Sequence, residues 1–406
     1  MATALLADAP CNVPVGHIVD WDMYHPPGVE HGFHVAWKAL HRPGIPDMIW
    51  TPRNGGHWIA TRAKLIAEVL TDAERFSSRV IIVPKADGEH HKMIPTTIDP
   101  PEHRPWRSLL NGTLSPRAVR AIERDIRAIA IELIEEMQPH GRSDFIADYA
   151  HVFPIRIFLR IVDLPAADAP RLKWLTDQIT RPDGSISFAD TVAAFHDYLG
   201  TVVDRRMGGA GNDMFSRLVN GEVEGRRLTR HEALQLCSQV LIAGLDTVVN
   251  FLGFALLHLA THPDHRSALA ADRTAIPGAV EELFRRYPIV TIGREVRRDM
   301  DFGGVRLRTG EMVIAPTVLH GMDERANSRP LDVDFDRRRA EHASFGRGHH
   351  MCPGAALARA EMRISLEEWL ARIPEFSLAP DAEIRFSGGI VGCVEALPLV
   401  WEVVNE

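Results

Sequence analysis

Residues 345–354 read Phe-Gly-Arg-Gly-His-His-Met-Cys-Pro-Gly, and the chain then enters a strongly helix-forming stretch, Pro-Gly-Ala-Ala-Leu-Ala-Arg from Pro353. Cys352 is the residue to be explained. At a helix start, unpaired backbone N–H groups and the positive end of the helix dipole favour an anionic sulfur. Pro353 suits the first helical position because it has no N–H to leave unpaired. Gly346 and Gly348 let the preceding backbone turn tightly beneath something flat. The segment therefore presents a thiolate on a loop. A lone cysteine is ordinarily a small buried hydrophobe, so the context decides the reading. A zinc site on His349, His350 and Cys352 is the weaker alternative. Adjacent histidines point different ways, and no second Cys-x-x-Cys cluster completes a tetrahedral set.

The run from Phe345 to Gly354 resembles, at every defined position, the haem-ligand loop of the cytochrome P450 superfamily. The resemblance implies haem b as cofactor, Cys352 as the axial thiolate on iron, and Phe345, Gly346, His350 and Gly354 as residues against the haem. Upstream, Val280-Glu-Glu-Leu-Phe-Arg-Arg-Tyr-Pro places Glu282 and Arg285 three apart on a helix. Pairs of that spacing are common and contribute about 0.5 kcal/mol when exposed. Their position before the Cys loop resembles the superfamily's buried Glu-Arg pair, which implies a structural network with Arg337 as third member. Pro288 to Arg294 reads as an extended segment, and the resemblance passes it beside the haem, with Arg294 meeting a propionate.

Two further stretches carry chemistry. Leu234 to His258 is long and apolar enough to raise a membrane span. Asp246, Thr247 and Asn250 oppose that, since a carboxylate near a bilayer centre costs about 3 kcal/mol, and a central helix of a globular protein is expected. A buried Asp beside a Thr needs a partner or a purpose. Gly244 weakens the helix locally and the Thr247 hydroxyl can bond back to a carbonyl, opening a notch. Ala243-Gly-Leu-Asp-Thr resembles the superfamily's oxygen-activation groove, and the longer run through Leu252 resembles its camphor-hydroxylase branch. It implies that Asp246 relays protons and that Thr247 hydrogen-bonds the oxygen being activated. In Ile94-Pro-Thr-Thr-Ile-Asp-Pro-Pro-Glu-His-Arg-Pro-Trp-Arg, Asp99 and the prolines are expected to cap a helix, with Glu102 closing a capping box. His103 and Arg107 then share one face. By resemblance both are cationic donors to a haem propionate.

The remaining chain is organised by helices. With 406 residues, 45% of them hydrophobic and 25% charged, it can bury a large core, and no linker divides it. The expected fold is mainly α with a small β region, one unit over residues 1–406, in the triangular prism of the superfamily. A short helix is expected near His34 to Leu40, a strand at Trp58 to Ala60, a helix over Arg62 to Leu70, and a mobile loop over a pocket from Arg79 to Met93. Helical periodicity covers 115–138 and 166–206, with breaks at Pro154 and Arg181 to Gly184. The Gly-rich 207–213 is a loop between helices, and 302–315 is hairpin-like. Short strands flank Gly392. Four scattered cysteines and no basic-then-apolar leader suit a reducing, cytoplasmic location. A formal charge of −8 argues against nucleic acid as partner.

The function implied is a monooxygenase that places one atom of O2 into an unactivated C–H bond. Its electrons would come from a separate 2Fe-2S ferredoxin with an NAD(P)H-dependent reductase, because the chain has no flavin or iron-sulfur signature of its own. A peroxide-driven peroxygenase would not need the Asp-Thr pair. A haem-based sensor would bind gas without turnover. Alignment with the camphor-hydroxylase branch puts His91 where that branch has a tyrosine donating to the substrate ketone, and Gln239 at an otherwise apolar pocket position. Ile242, Ile289, Val290, Ile292, Ile390 and Val391 remain aliphatic. A compact terpenoid or norisoprenoid substrate is therefore expected.

Overall fold

The computed structural model describes residues 9–403. Near the N-terminus come α1 (Phe33–Lys38), strands β1 (Met48–Thr51) and β2 (His57–Ala60), and α2 (Ala63–Thr71). β1 and β2 pair antiparallel with Trp50 opposite Trp58, and every residue of both strands is buried. After β3 (Phe76–Ser77) the chain reaches α3 (His103–Thr113) and α4 (Pro116–Met137), the latter started by Ser115, whose hydroxyl accepts from the Ala118 N–H. α5 (Phe153–Ile161), α6 (Ala169–Thr180), α7 (Phe188–Arg206) and α8 (Met214–Val219) then wrap α9 (Arg230–Thr261). α10 (Pro263–Ala271) and α11 (Ile276–Arg286) lead to β4 (Thr291–Val296) and β5 (Met312–Pro316), and α12 (Ala355–Arg372) follows the Cys loop. The main sheet has the order β1-β2-β5-β4-β3. It is held by a parallel step, Val313 opposite Trp58, and an antiparallel one, Ala315 opposite Ile292.

α9 is the axis of the molecule. Its start is a complete capping box: Thr229 Oγ1 accepts from the Glu232 N–H at 3.3 Å and Glu232 Oε2 accepts from the Thr229 N–H at 2.8 Å. By length and composition this one helix is apolar enough to cross a membrane, yet two thirds of its most apolar window is buried inside the protein. Asp246 and Asn250, in the middle of it, are buried and hydrogen-bonded to each other. The apolar stretch is therefore accounted for by protein packing.

Several local expectations are corrected. Asp99 does not cap α3, and no capping box forms with Glu102. The Asp99 carboxylate instead accepts from the Ser78 N–H at 2.7 Å and from the Ser77 hydroxyl, and pairs with Arg297. Tertiary donors have outcompeted the local ones. Pro154 opens α5 rather than breaking a helix. Residues 79–93 are not a bare loop: they carry a helical turn, Lys85–Glu89, and bury Val80, Ile82 and Val83. Pro353 is not the first residue of α12. Pro353 and Gly354 form a turn, and the helix begins at Ala355.

Candidate haem and oxygen site

The Cys loop is shaped by its own backbone. Gly346 and Gly348 sit at φ of 69° and 70°, where a side chain would be strained. A Cβ on Gly348 would also meet the Thr71 Cα at 3.1 Å, so the glycine lets the loop lie against the end of α2. The Cys352 N–H donates to the Phe345 carbonyl at 2.7 Å and closes the turn. Phe345 is gripped from two sides, by Phe284 at 4.6 Å between centroids and by the Arg359 guanidinium 4.3 Å above its ring. Burial pushes the Cys352 thiol pKa up. The Gly354 N–H and the positive charges of Arg107 and Arg359 oppose that and favour the thiolate.

Beside the thiol lies a group of donors with too few acceptors. His103 and His350 meet at 4.3 Å between ring centroids, and the Nε2 atoms of both are buried without a partner. Arg294 is buried at 2% exposure, and the hydrogen bond seen for its guanidinium is to the Gly293 carbonyl next to it. Its pKa falls to about 10 through burial. Arg107, half-buried, reaches only Asn111, at 3.0 Å. Burial and the neighbouring Arg107 and His349 bring His103 to about 4, and burial and Arg294 bring His350 to about 3. Burial and these cations favour the neutral form of both rings, and an anion placed among them would favour the charged form instead. Two arginines and two imidazoles left unsatisfied in one buried region fit an anionic group held beside the thiolate, as haem propionates are.

α9 is continuous through 243–247. Ala243 is exposed and Ile242, Thr247 and Val248 are partly so, while Leu241, Leu245 and Asp246 are buried, so one face of α9 is left open here. Thr247 Oγ1 donates to the Ala243 carbonyl at 3.2 Å, the back-bonded geometry that loosens a helix ladder. Gly244 makes no notch: the ring of Phe158 occupies the position its Cβ would take, with Cε2 at 2.3 Å. Its purpose is close approach of α5.

Asp246 does not face solvent. It is 1% exposed, and its carboxylate accepts from Arg181 Nη2 at 2.7 Å, Arg181 Nη1 at 2.9 Å, Lys173 Nζ at 3.1 Å and Asn250 Nδ2 at 2.7 Å. Burial alone would raise its pKa, but the Arg181 and Lys173 charges win and hold it far below the usual carboxylate range. Asp177 shares both cations. Sequence alone does not single out Lys173, and it marks Arg181 only as a helix break and Asn250 only as a polar residue opposing a membrane span, although a buried aspartate at 246 demands cations somewhere.

Glu282 accepts from Arg285 at 2.8 Å through both carboxylate oxygens and from Arg337 at 3.0 Å. Arg285 also donates to the carbonyls of Gly321, Pro330 and Asp332. The network ties α11 to the segment before the Cys loop. Among the aliphatic positions, the backbones of 289–291 and 390–392 are joined by Thr291 N–H to Ile390 O at 2.8 Å and Gly392 N–H to Ile289 O at 2.9 Å, with Val290 opposite Val391. Arg181 Nη1 donates to the Val391 carbonyl at 2.9 Å, so this tip touches the Asp246 network. Ile292 stands two residues on in β4. His91 packs on Phe188 at 5.1 Å, and Gln239 keeps a buried carboxamide oxygen without a partner.

The model of the family described as "Cytochrome P450" matches residues 204–384. A probable cytochrome P450 127A1 of Sinorhizobium fredii is 34% identical over 97% of this chain and 96% of its own. The crystal structure of CYP101J2 is 47% identical and superposes at a TM-score of 0.89 over 97% of this chain and 99% of its own. That of CYP101C1 is 41% identical, at 0.89 over 97% and 100%. With its thiol loop, its unsatisfied donors and these likenesses along nearly its whole length, the chain belongs to the cytochrome P450 family, close to the CYP101 enzymes, and is a haem-thiolate monooxygenase that carries haem b on a cysteine.

Proposed function

We propose that this enzyme hydroxylates a compact hydrophobic molecule of terpenoid or norisoprenoid type, with electrons delivered by a separate 2Fe-2S ferredoxin and its NAD(P)H-dependent reductase, in the cytoplasm. Haem on Cys352 supplies the centre at which O2 is reduced and one oxygen atom is passed to a substrate C–H bond. The chain's own residues do the rest. Cys352 is the ligand, and its charge is balanced by Arg107 and Arg359. His103, Arg107, Arg294 and His350 hold the carboxylate edge of the cofactor. Thr247 offers a hydroxyl on the open face of α9. Asp246 holds or passes a proton behind it, which requires its contact with Arg181 to open, because a carboxylate paired with two cations takes up no proton near neutral pH.

The substrate class rests on the composition of the residues that the resemblance assigns to the pocket. Ile289, Val290, Ile390 and Val391 lie on two hydrogen-bonded segments, Ile242 and Ile292 are aliphatic as well, and the polar residues assigned with them are His91 and Gln239, whose carboxamide oxygen has no partner. Such a set favours an apolar body with one oxygen function, and Gln239 is the side chain with hydrogen-bonding capacity to spare. A panel of small terpenoids, including camphor and ionone-like ketones and alcohols, is titrated while the haem spin-state shift is followed. Ionone-like compounds are expected to bind better than camphor, and Gln239→Leu to narrow the gap between oxygenated and hydrocarbon ligands. Tight camphor binding with no response to the others would refute the substrate reading.

A further inference from the structure

Away from the haem space, the elbow between α9 and α10 gathers three histidines. His258 lies in the last turn of α9, His262 at the elbow and His265 in the first turn of α10. The ring centroids are 4.0 Å apart for His258 and His262, 5.1 Å for His258 and His265, and 5.7 Å for His262 and His265. His258 is buried at 3% exposure, His265 is half-buried and His262 is open to solvent, so the group is reachable from one side. No part of the oxygen chemistry uses it.

We propose that these three imidazoles form a binding site for a divalent late first-row transition cation such as Zn2+ or Ni2+. Metal–nitrogen bonds of about 2.1 Å put a ring centroid roughly 3.2 Å from the ion, so neighbouring ligand rings stand about 4.5 to 5.3 Å apart at octahedral to tetrahedral angles. The three observed separations bracket that range. His258 Nε2 and His265 Nδ1 are 2.9 Å apart and share a hydrogen bond. Two such nitrogens bound to one ion at about 2.1 Å subtend about 90°, the cis edge of an octahedron.

Two of the three remaining ring nitrogens are already fixed as ligating histidines require. His258 Nδ1 lies 2.8 Å from the Tyr287 hydroxyl, and His262 Nδ1 lies 2.9 Å from the His258 carbonyl, to which it must donate. His262 Nε2 therefore carries a free lone pair. With its proton on Nδ1 against the Tyr287 oxygen, His258 offers a lone pair at Nε2, and His265 does so at Nδ1 with its proton on Nε2. The cation takes the place of the proton shared between the two rings, and that proton moves to the outer nitrogen of the ring that carried it, so all three ligands stay neutral. Among the described residues no three side chains already converge as a cage. The rings must tilt out of their present stack, and His262, at the solvent edge, has the freedom to do so. Asp264 and Asp334 add negative potential at His265, whereas Arg286 opposes a cation at His258.

The test is calorimetric titration of tag-free holoenzyme with ZnCl2, repeated with NiCl2, together with thermal unfolding with and without the metal. The expected result is one cation per chain with a low-micromolar dissociation constant and a raised unfolding temperature. His262→Gln and His265→Gln, both at the accessible side, should each weaken binding by about tenfold or more and abolish the thermal shift, while Tyr287→Phe should weaken it less. The site is overturned by absence of binding up to about 1 mM metal. It is equally overturned if binding is unchanged in both histidine variants, or if the loss is confined to one of them.

Discussion

Asp246 and Thr247 are adjacent in sequence and opposite in environment, and the difference assigns each a separate test. Thr247 has one local hydrogen bond on the open face of α9, so Thr247→Ala removes a hydroxyl and little packing. It should keep consuming NAD(P)H but release the electrons as hydrogen peroxide. Asp246→Asn should slow turnover itself, and it also leaves Arg181 and Lys173 with Asp177 as their remaining carboxylate. Breaking one partner of a buried ion pair costs on the order of 3–5 kcal/mol, so unfolding must be followed alongside the rate. Wild-type rate and product yield per NAD(P)H in both variants would remove the assignment. That Asp246 needed a partner was legible from its apolar neighbours. Which partner was not, because Lys173 and Arg181 lie more than sixty residues away at spacings any solvated helix face shows.

At the scale of elements, the turn glycines of the Cys loop hold their expected role, whereas Gly244 and Pro154 act otherwise than expected. Gly244 looked like a weak point in α9, whereas it is the place where α5 comes closest. Gly244→Ala would set a methyl 2.3 Å from the Phe158 ring, and overpacking of this kind costs about 1–3 kcal/mol. The variant should unfold at lower temperature, and Phe158→Leu in the same chain should recover part of the loss. An unchanged melting temperature would refute the packing account. Pro154 and Asp99-Pro-Pro-Glu102 show the same limit. A proline is as good at opening a helix as at ending one, and an aspartate caps only if nothing better reaches it, which here Ser77, Ser78 and Arg297 do. Thr229-x-x-Glu232, by contrast, caps α9 as its spacing allows, even though the Glu232 carboxylate also accepts from Arg226.

At the scale of the whole molecule, the proposed ferredoxin would have to approach the thiol loop over exposed residues. Arg104 is exposed on α3 and Met351 is 50% exposed next to Cys352, while Arg107 is turned to the buried thiol and Arg359 is paired with Glu281. Arg104 is therefore the surface cation to change first. Arg104→Glu should raise the KM for an acidic ferredoxin more than it lowers kcat, and wild-type turnover should fall steeply with added salt. A flat salt response removes the electrostatic argument. The family was legible at this scale because one loop of ten residues is so constrained, by a ligand, two left-handed glycines and a half-buried aromatic, that few other structures would select it.

Stability against acid is also a property of the whole chain. His57, His258 and His320 are buried at 1%, 3% and 4% exposure, in β2, α9 and the turn Thr317–Gly321. Burial lowers them to about 4, about 2 and about 4. A histidine kept neutral in the fold is protonated in the unfolded chain as soon as pH drops below about 6.5, so the unfolded state binds more protons there. Stability is then undiminished above that pH and declines as pH falls from about 6.5 toward the folded values, at up to about 1.4 kcal/mol per pH unit for each group. Carboxylates held ionised by cations, Asp246 among them, add to the loss only below about pH 4. Denaturant unfolding of the holoenzyme should therefore weaken measurably between pH 6.5 and 5, ahead of the carboxylate range. His320→Gln or His57→Gln should shallow that slope, even where the variant is less stable at pH 7.5. A flat profile down to pH 4.5 would mean that these rings take up protons in the folded state without cost, which their burial does not allow.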